Sequence, residues 1–205
     1  MDLIESFYNV RMLRCFFLLP LAAFFARAET CTIRVNTVGA VHAGMTVRQA
    51  REVLAGTQFK QSEDIDKIAI FIVTRGATRL MDLYPYQEDG VKESSKIELV
   101  RVYDPACVTA EGVHAGMPLA EVQKRFGKLK RLTLNDGLPR EIAEFEKVPS
   151  WLEIDAGDGS AGIYPKGMHC ADRFKPSATV FSLWVSHPIT EKFPEDPNFC
   201  GTPEK

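Results

Sequence analysis

Apolar positions along the chain recur at two spacings, and a stretch that occurs twice marks where one gives way to the other. Val41-His42-Ala43-Gly44-Met45 runs into Thr46-Val47-Arg48-Gln49-Ala50, and Val113-His114-Ala115-Gly116-Met117 runs into Pro118-Leu119-Ala120-Glu121-Val122. After each Gly-Met the pattern is helical. Val47, Ala50 and Leu54 lie at i, i+3 and i+7, and Leu119, Val122 and Phe126 keep that spacing. Thr46 with Gln49 has the spacing of a capping box. Pro118 falls in a first helical turn, where its missing N–H is harmless. Gly56 and Gly127 stand where the two helices should stop. Arg48 with Glu52, and Glu121 with Arg125, form i,i+4 pairs on the outer faces. Gly44 and Gly116 suit a tight turn before each helix, and Met45 and Met117 read as core plugs.

Between and after the helices the period shortens to two. Thr32 to Asn36 alternates as a short strand. Gln58 to Asp66 is polar and reads as loop. Ile68 to Thr74 is almost continuously apolar, which predicts a central strand covered on both faces. Thr78 to Tyr84 and Lys96 to Tyr103 follow as strands, the latter ended by Asp104-Pro105. Behind the second helix come Leu129 to Leu134, a turn at Asn135-Asp136-Gly137, Glu141 to Val148, and Trp151 to Ile154. A Gly-rich turn over Asp155 to Gly162, a loop over Lys166 to Pro176 and a strand over Thr179 to Ser186 complete the run. Helix then meander, twice, predicts an α+β fold of two tandem units, residues 29–105 and 106–190, with short helices on one face of antiparallel sheet. Two copies suggest duplication.

The N-terminus changes the picture of which residues fold. Arg11 and Arg14 precede an apolar run from Cys15 to Phe25, and Ala26-Arg27-Ala28 has the small-residue form of a cleavage site. Residues 1–28 therefore read as a secretory signal peptide, too short for a comfortable membrane span, with Met1 or Met12 as the start. Ala28-Glu29-Thr30 before Cys31 is not the small apolar approach of a lipobox. Without residues 1–28 the basic count falls from 25 to 22 and the acidic count from 27 to 25, a net charge of −3. No basic run is left, which argues against nucleic acid and anionic membrane as partners. Four cysteines remain, Cys31, Cys107, Cys170 and Cys200. An even count in an exported chain predicts two disulfides, with three pairings open and no C-x-x-C for a metal or redox site. Cys200 would staple the Pro-rich tail, residues 191–205. The expected location is periplasmic or secreted.

Candidate chemistry is sparse. His42 and His114 occupy equivalent positions, but no carboxylate or cysteine stands at ligand spacing beside either, so they read as parts of the repeat template and no metal is expected. Asp155 to Ser160 lacks the alternating carboxylates of a calcium loop and reads as a hairpin turn. Glu144 and Glu146 have the spacing of two carboxylates on one strand face, and a solvated face is the simplest account of them. No nucleophile elbow, zinc-helix or P-loop motif is present. The expectation is a chain that is not an enzyme, with no catalytic residues and no cofactor. Trp184 and Phe181 are expected to cover the core. Tyr84, Tyr86 and Tyr164 lie at strand ends or in loops. With Glu88, Asp89, Asp155 and Asp158 they form a candidate partner-binding set of loop aromatics beside acidic groups.

The tandem pattern resembles the secreted β-lactamase inhibitor protein and the small outer-membrane assembly lipoproteins that share its half-domain. Val41, Gly44, Met45, Thr46 and Ala50 match the family motif in the first half, and Val113, Gly116, Met117, Val122 and Gly127 match it in the second. The absence of a lipobox departs from the lipoproteins. The resemblance implies a non-catalytic binding protein, an inhibitor or immunity protein that puts a loop (86–95 or 155–170) into a cell-wall hydrolase or toxin. The alternative it implies is a structural envelope factor.

Overall fold

A computed structural model describes residues 31–87, 90–135, 140–187 and 200. The segment read as a signal peptide, Glu88, Asp89, the Asp136-Gly137 turn and all of the tail except Cys200 lie outside the described residues.

A small sheet comes first: β1 (Thr32–Arg34), β2 (Thr37–Val38) and β3 (Val41–His42). Then α1 (Val47–Val53) leads into β4 (Gln58–Glu63), β5 (Ala69–Arg75), β6 (Thr78–Pro85) and β7 (Ile97–Val102). Next, β8 (Val108–Thr109) and α2 (Leu119–Phe126) precede β9 (Leu129–Leu134), β10 (Glu141–Phe145), β11 (Leu152–Gly157), β12 (Cys170–Ala171) and β13 (Ser182–Val185). The fold is mostly β with two helices, an α+β arrangement. Nine strands make one sheet in the order β12-β9-β10-β11-β13-β7-β6-β5-β4, and β8 joins the small sheet beside β1.

Alternation decides which side chains face inward. Val100 and Val102 on β7, Met81 and Leu83 on β6, Ile154 on β11 and Leu183 on β13 share one buried cluster with Val47 and Ala50 of α1, Leu119, Val122 and Phe126 of α2, and Ile33, Val38 and Val41 of the small sheet. Both helices and the small sheet therefore lie on the same inner face of the large sheet. The outer face carries neither, among the described residues.

The Gly-Met turns are built alike. Gly44 N–H donates to Ile97 O at 2.7 Å and Ile97 N–H donates to Met45 O at 2.8 Å; Gly116 N–H donates to Val180 O at 2.7 Å and Val180 N–H donates to Met117 O at 2.8 Å. Gly44 has φ +84° and Gly116 φ +82°, and a Cβ at either would meet no atom within 4 Å. Backbone conformation, not space, is what requires glycine there. The capping box of Thr46 and Gln49 forms as expected, Met45 and Met117 are buried, and Gly127 caps α2.

Several expectations are corrected. Gln58–Glu63 is an edge strand, not a loop: only Phe59 and Ser62 turn partly inward, so a polar edge strand shows almost no apolar alternation. Ala69–Arg75 pairs with that edge strand and is not central. β11 runs on through Asp155 and Ala156 to Gly157, where a turn was expected. Glu121 pairs with Lys124 at 2.6 Å, while Arg125 reaches back to the Glu111 carbonyl. Phe181 is 53% exposed and does not cover the core. The disulfides join Cys31 to Cys107 and Cys170 to Cys200, a pattern of chains that fold in an oxidising compartment. No helix among the described residues is long and apolar enough to cross a membrane.

Candidate functional site: the outer face of the sheet

Strand order brings together polar residues that are far apart in sequence. Asp82 on β6 stands opposite Arg101 on β7, Arg101 opposite Trp184 on β13, and Trp184 opposite Glu153 on β11. All four point away from the helices, since their strand neighbours Leu83, Val100, Leu183 and Ile154 point into the core.

Asp155, fully buried, is the hub of this row. Its Oδ2 accepts from Arg101 Nη2 at 2.6 Å, Ser182 Oγ at 3.0 Å and Trp184 Nε1 at 3.4 Å, and its Oδ1 accepts from Gly157 N at 2.9 Å. Arg101 Nε donates to Ser182 Oγ at 2.9 Å. The Arg101 guanidinium lies 4.7 Å from the centre of the Trp184 ring, and that of Arg140 lies 3.8 Å from it. A second buried carboxylate, Asp82, accepts from Arg79 Nε and from the Tyr103 hydroxyl, both at 2.7 Å. Ser182 has its proton and a lone pair engaged with Asp155 and Arg101, so it is not arranged as a nucleophile beside a base.

Between this face and the β10–β11 connection lies a groove of about 600 Å³, with Leu99, Ile142 and Trp184 along it and Trp151 in its wall. Arg140 pairs with Glu153 at its edge. The Glu153 side chain is 38% exposed. Even so, enclosure by protein raises its pKa more than the Arg140 charge lowers it, and Asp155 adds to the rise.

Tyr84, Tyr103 and Tyr164 titrate late. Burial, with the charges of Asp64 and Asp82, outweighs Arg101 and pushes Tyr84 up to about 12. Burial, followed by the Asp82 charge, also raises Tyr103, and burial with the Glu141 hydrogen bond raises Tyr164. Below pH 10, the ordinary phenol value, folded and unfolded chains hold the same phenol protons. Above it the unfolded chain releases protons that the fold retains, so unfolding becomes easier as pH rises. Denaturant midpoints should therefore fall steadily between pH 10 and about 12, the span over which Tyr84 lags. Midpoints that stay flat over that span would show that these phenols ionise normally in the fold.

The residues singled out in the sequence are scattered. Tyr84 is buried on the outer face, its ring 5.1 Å from that of Trp184. Asp155 is committed to the hub. Tyr164 donates to Glu141 at 2.7 Å, and that buried carboxylate also accepts from the N–H groups of Ala161 and Gly162. Asp158 is exposed. Glu144 pairs with Arg131 at 2.9 Å, whereas Glu146 lies past a bulge and accepts from Lys128 N at 3.1 Å, so the two carboxylates are not a pair on one face. His42 and His114 each bring Nδ1 within hydrogen-bonding reach of the next residue's carbonyl, at 3.0 and 2.8 Å. Among the described residues no cluster could hold a metal ion.

Tyr86 is exposed, and it has company. Continuing the β5–β6 register puts it across from Ile68. Exposures are 43% for Tyr86, 38% for Ile68 and 60% for Ile65. The turn that carries the two isoleucines is ordered: Asp64 Oδ1 accepts from Asp66 N at 3.0 Å and Ile68 N at 2.9 Å. Gln87 Nε2 ties it to the neighbouring strand by donating to Ala69 O at 3.1 Å.

Sequence reasoning missed Arg101, Arg140, Glu153 and the groove. The available signal was a set of charged residues in phase within otherwise apolar strands, Asp82, Arg101 and Asp155. No protein-family model matches the chain, and no curated protein does. Among solved structures, the chain is similar to "the uncharacterized protein yfeY from Escherichia coli", with a TM-score of 0.51 and 17% identity over 76% of this chain and 100% of that one. At that identity the likeness concerns the fold alone.

Proposed function

We propose that the chain is an exported, non-catalytic binding protein that docks another protein through the end of the sheet carrying Tyr86, Ile68 and Ile65. One observation carries this reading: Ile65 and Ile68 stand exposed on an ordered turn, and exposed Tyr86 lies across the strand register from Ile68. Single exposed apolar side chains are ordinary, but a clustered and rigid set that includes tyrosine is how docking surfaces are built. The signal-peptide pattern and the two disulfides support export. The Gly-Met turns, hydrogen-bonded alike, support descent from a duplicated half-domain. The resemblance to the β-lactamase inhibitor protein favours an inhibitor or immunity protein, with a cell-wall hydrolase or toxin as target and Tyr86, at the start of the 86–95 segment, as the residue that contacts it.

Affinity capture from a periplasmic extract with residues 29–205 tests this. The expected result is one stoichiometric hydrolase or toxin. Tyr86→Ala should weaken that capture by about 2 kcal/mol, the loss typical of a central aromatic contact. Recovery of envelope assembly components alone, or capture that Tyr86→Ala leaves unchanged, would overturn the reading.

A further inference from the structure

We infer that the groove on the outer face is a second, separate binding site, and that it takes a neutral oligosaccharide. The inference rests on what the groove offers. Its volume of about 600 Å³ falls within the range of small-ligand sites. Its charged lining residues are Lys130, Arg140, Glu144 and Glu153, two cations and two carboxylates, so the lining carries no net charge. A strongly anionic or cationic ligand would meet as much repulsion as attraction. A ligand that both donates and accepts suits such a lining, and the hydroxyl group does both.

The apolar part of the groove fits the same ligand. Trp151 and Trp184 are the only tryptophans in the chain, and both line it. Arg140 lies over the Trp184 ring and covers that face of the indole, so the aromatic surface open to a ligand is that of half-buried Trp151 in the β10–β11 connection. Sugar rings present apolar C–H faces together with hydroxyl edges, which matches an aromatic wall at Trp151 beside charged acceptors and donors. The buried Nε of Arg140 has no hydrogen-bond partner among the described residues and leaves a donor unused.

An extended peptide suits the groove less well. β9, β10, β11 and β13 pair with one another across its floor, so their main-chain groups are engaged there. A peptide lying on the sheet face has no strand edge to join, and its own amides would go without the main-chain partners that make strand addition favourable.

Because both indoles line the groove, intrinsic tryptophan fluorescence reads occupancy directly. The mature protein would be titrated with cellotriose, maltotriose and tri-N-acetylchitotriose up to about 10 mM, enough to approach saturation even at a 1 mM dissociation constant. The expected result is a saturable fluorescence change with at least one of the three. Glu144→Ala, on the exposed side of the sheet, should weaken that binding about tenfold, the free energy of one hydrogen bond to a charged group. Trp151→Ala should abolish it, with circular dichroism checking that the variant folds. No saturable change with any trisaccharide would overturn the inference. So would saturable binding of a neutral capped tripeptide in place of the sugars, or sugar binding that Glu144→Ala leaves intact. Capture of a protein through Tyr86 is unaffected by any of these outcomes, so this inference and the docking proposal stand or fall separately.

Discussion

Replacing both Cys31 and Cys107 with alanine should lower the stability of the whole molecule by about 4.5 kcal/mol, the chain-entropy value for a 76-residue separation. The bond also sits where non-covalent support is thin. It fastens β1 to β8 next to a parallel pairing of only Thr32 with Val108 and Ile33 with Thr109, helped by Val108 N donating to Cys31 O at 2.9 Å. Ile33, Val38 and Val41 belong to the main core, so loosening the small sheet exposes one side of that core and should shift the global transition. The Cys170–Cys200 bond closes only 30 residues, and the same relation gives about 3.6 kcal/mol. Its loss frees the segment around β12, which adds two residues to the edge of the large sheet. Thermal unfolding monitored by circular dichroism should therefore show the larger drop for the Cys31/Cys107 variant. The Cys170/Cys200 variant should show increased protease cutting near residue 170 before the sheet unfolds. Equal transitions for the two variants would mean that the small sheet does not support the core.

Arg101→Leu should cost about 3–5 kcal/mol, the usual penalty for removing one partner of a buried ion pair. The Asp155 side chain is 1% exposed and that of Arg101 17%, so water cannot readily replace the guanidinium. Ser182, Trp184 and Gly157 would still donate to Asp155, but no cation would face the carboxylate. The variant also loses ring contacts with Tyr103, Phe181 and Trp184, which add to the cost. At roughly 2–4 °C per kcal/mol for a chain of this size, the melting temperature should fall by about 10 °C. Adding Asp155→Asn should recover much of the loss, because the stranded charge and not the missing contact dominates. If Arg101→Leu costs less than about 1 kcal/mol, Asp155 is hydrated through the outer face and the pair is a surface interaction. If the second substitution recovers nothing, the ring contacts are the larger effect.

These two effects differ in how visible they are from sequence. The cysteine count announces two bonds, but three pairings satisfy it, and only the meeting of β1 with β8 selects Cys31–Cys107. Nothing local links Arg101 to Ser182, 81 residues apart, or to Asp155, 54 residues apart. Read in sequence, Asp155 looks like the start of a Gly-rich turn. In the fold it lies in a strand with Ser182 beside it and Arg101 one strand beyond. Tyr164 is a loop aromatic in the fold as in the sequence, but its partner is distant: its hydroxyl donates to the buried Glu141 carboxylate, 23 residues away.

Features that depend on near neighbours are legible in the order of residues. Helical spacing with its caps placed α1 and α2, two-residue alternation placed most strands and their inward faces, and the glycines of the two Gly-Met turns follow from a backbone that needs positive φ. Those interactions span two to seven residues, so the order of residues is enough to specify them. Other features arise only when the chain packs: the strand order that sets β13 beside β7, the pairing of the cysteines, the polar edge strand at Gln58–Glu63, the Asp155 hub and the groove. Each depends on contacts between segments tens of residues apart, and the free energy that selects among such contacts is a property of the packed core as a whole. No single stretch of the chain carries it.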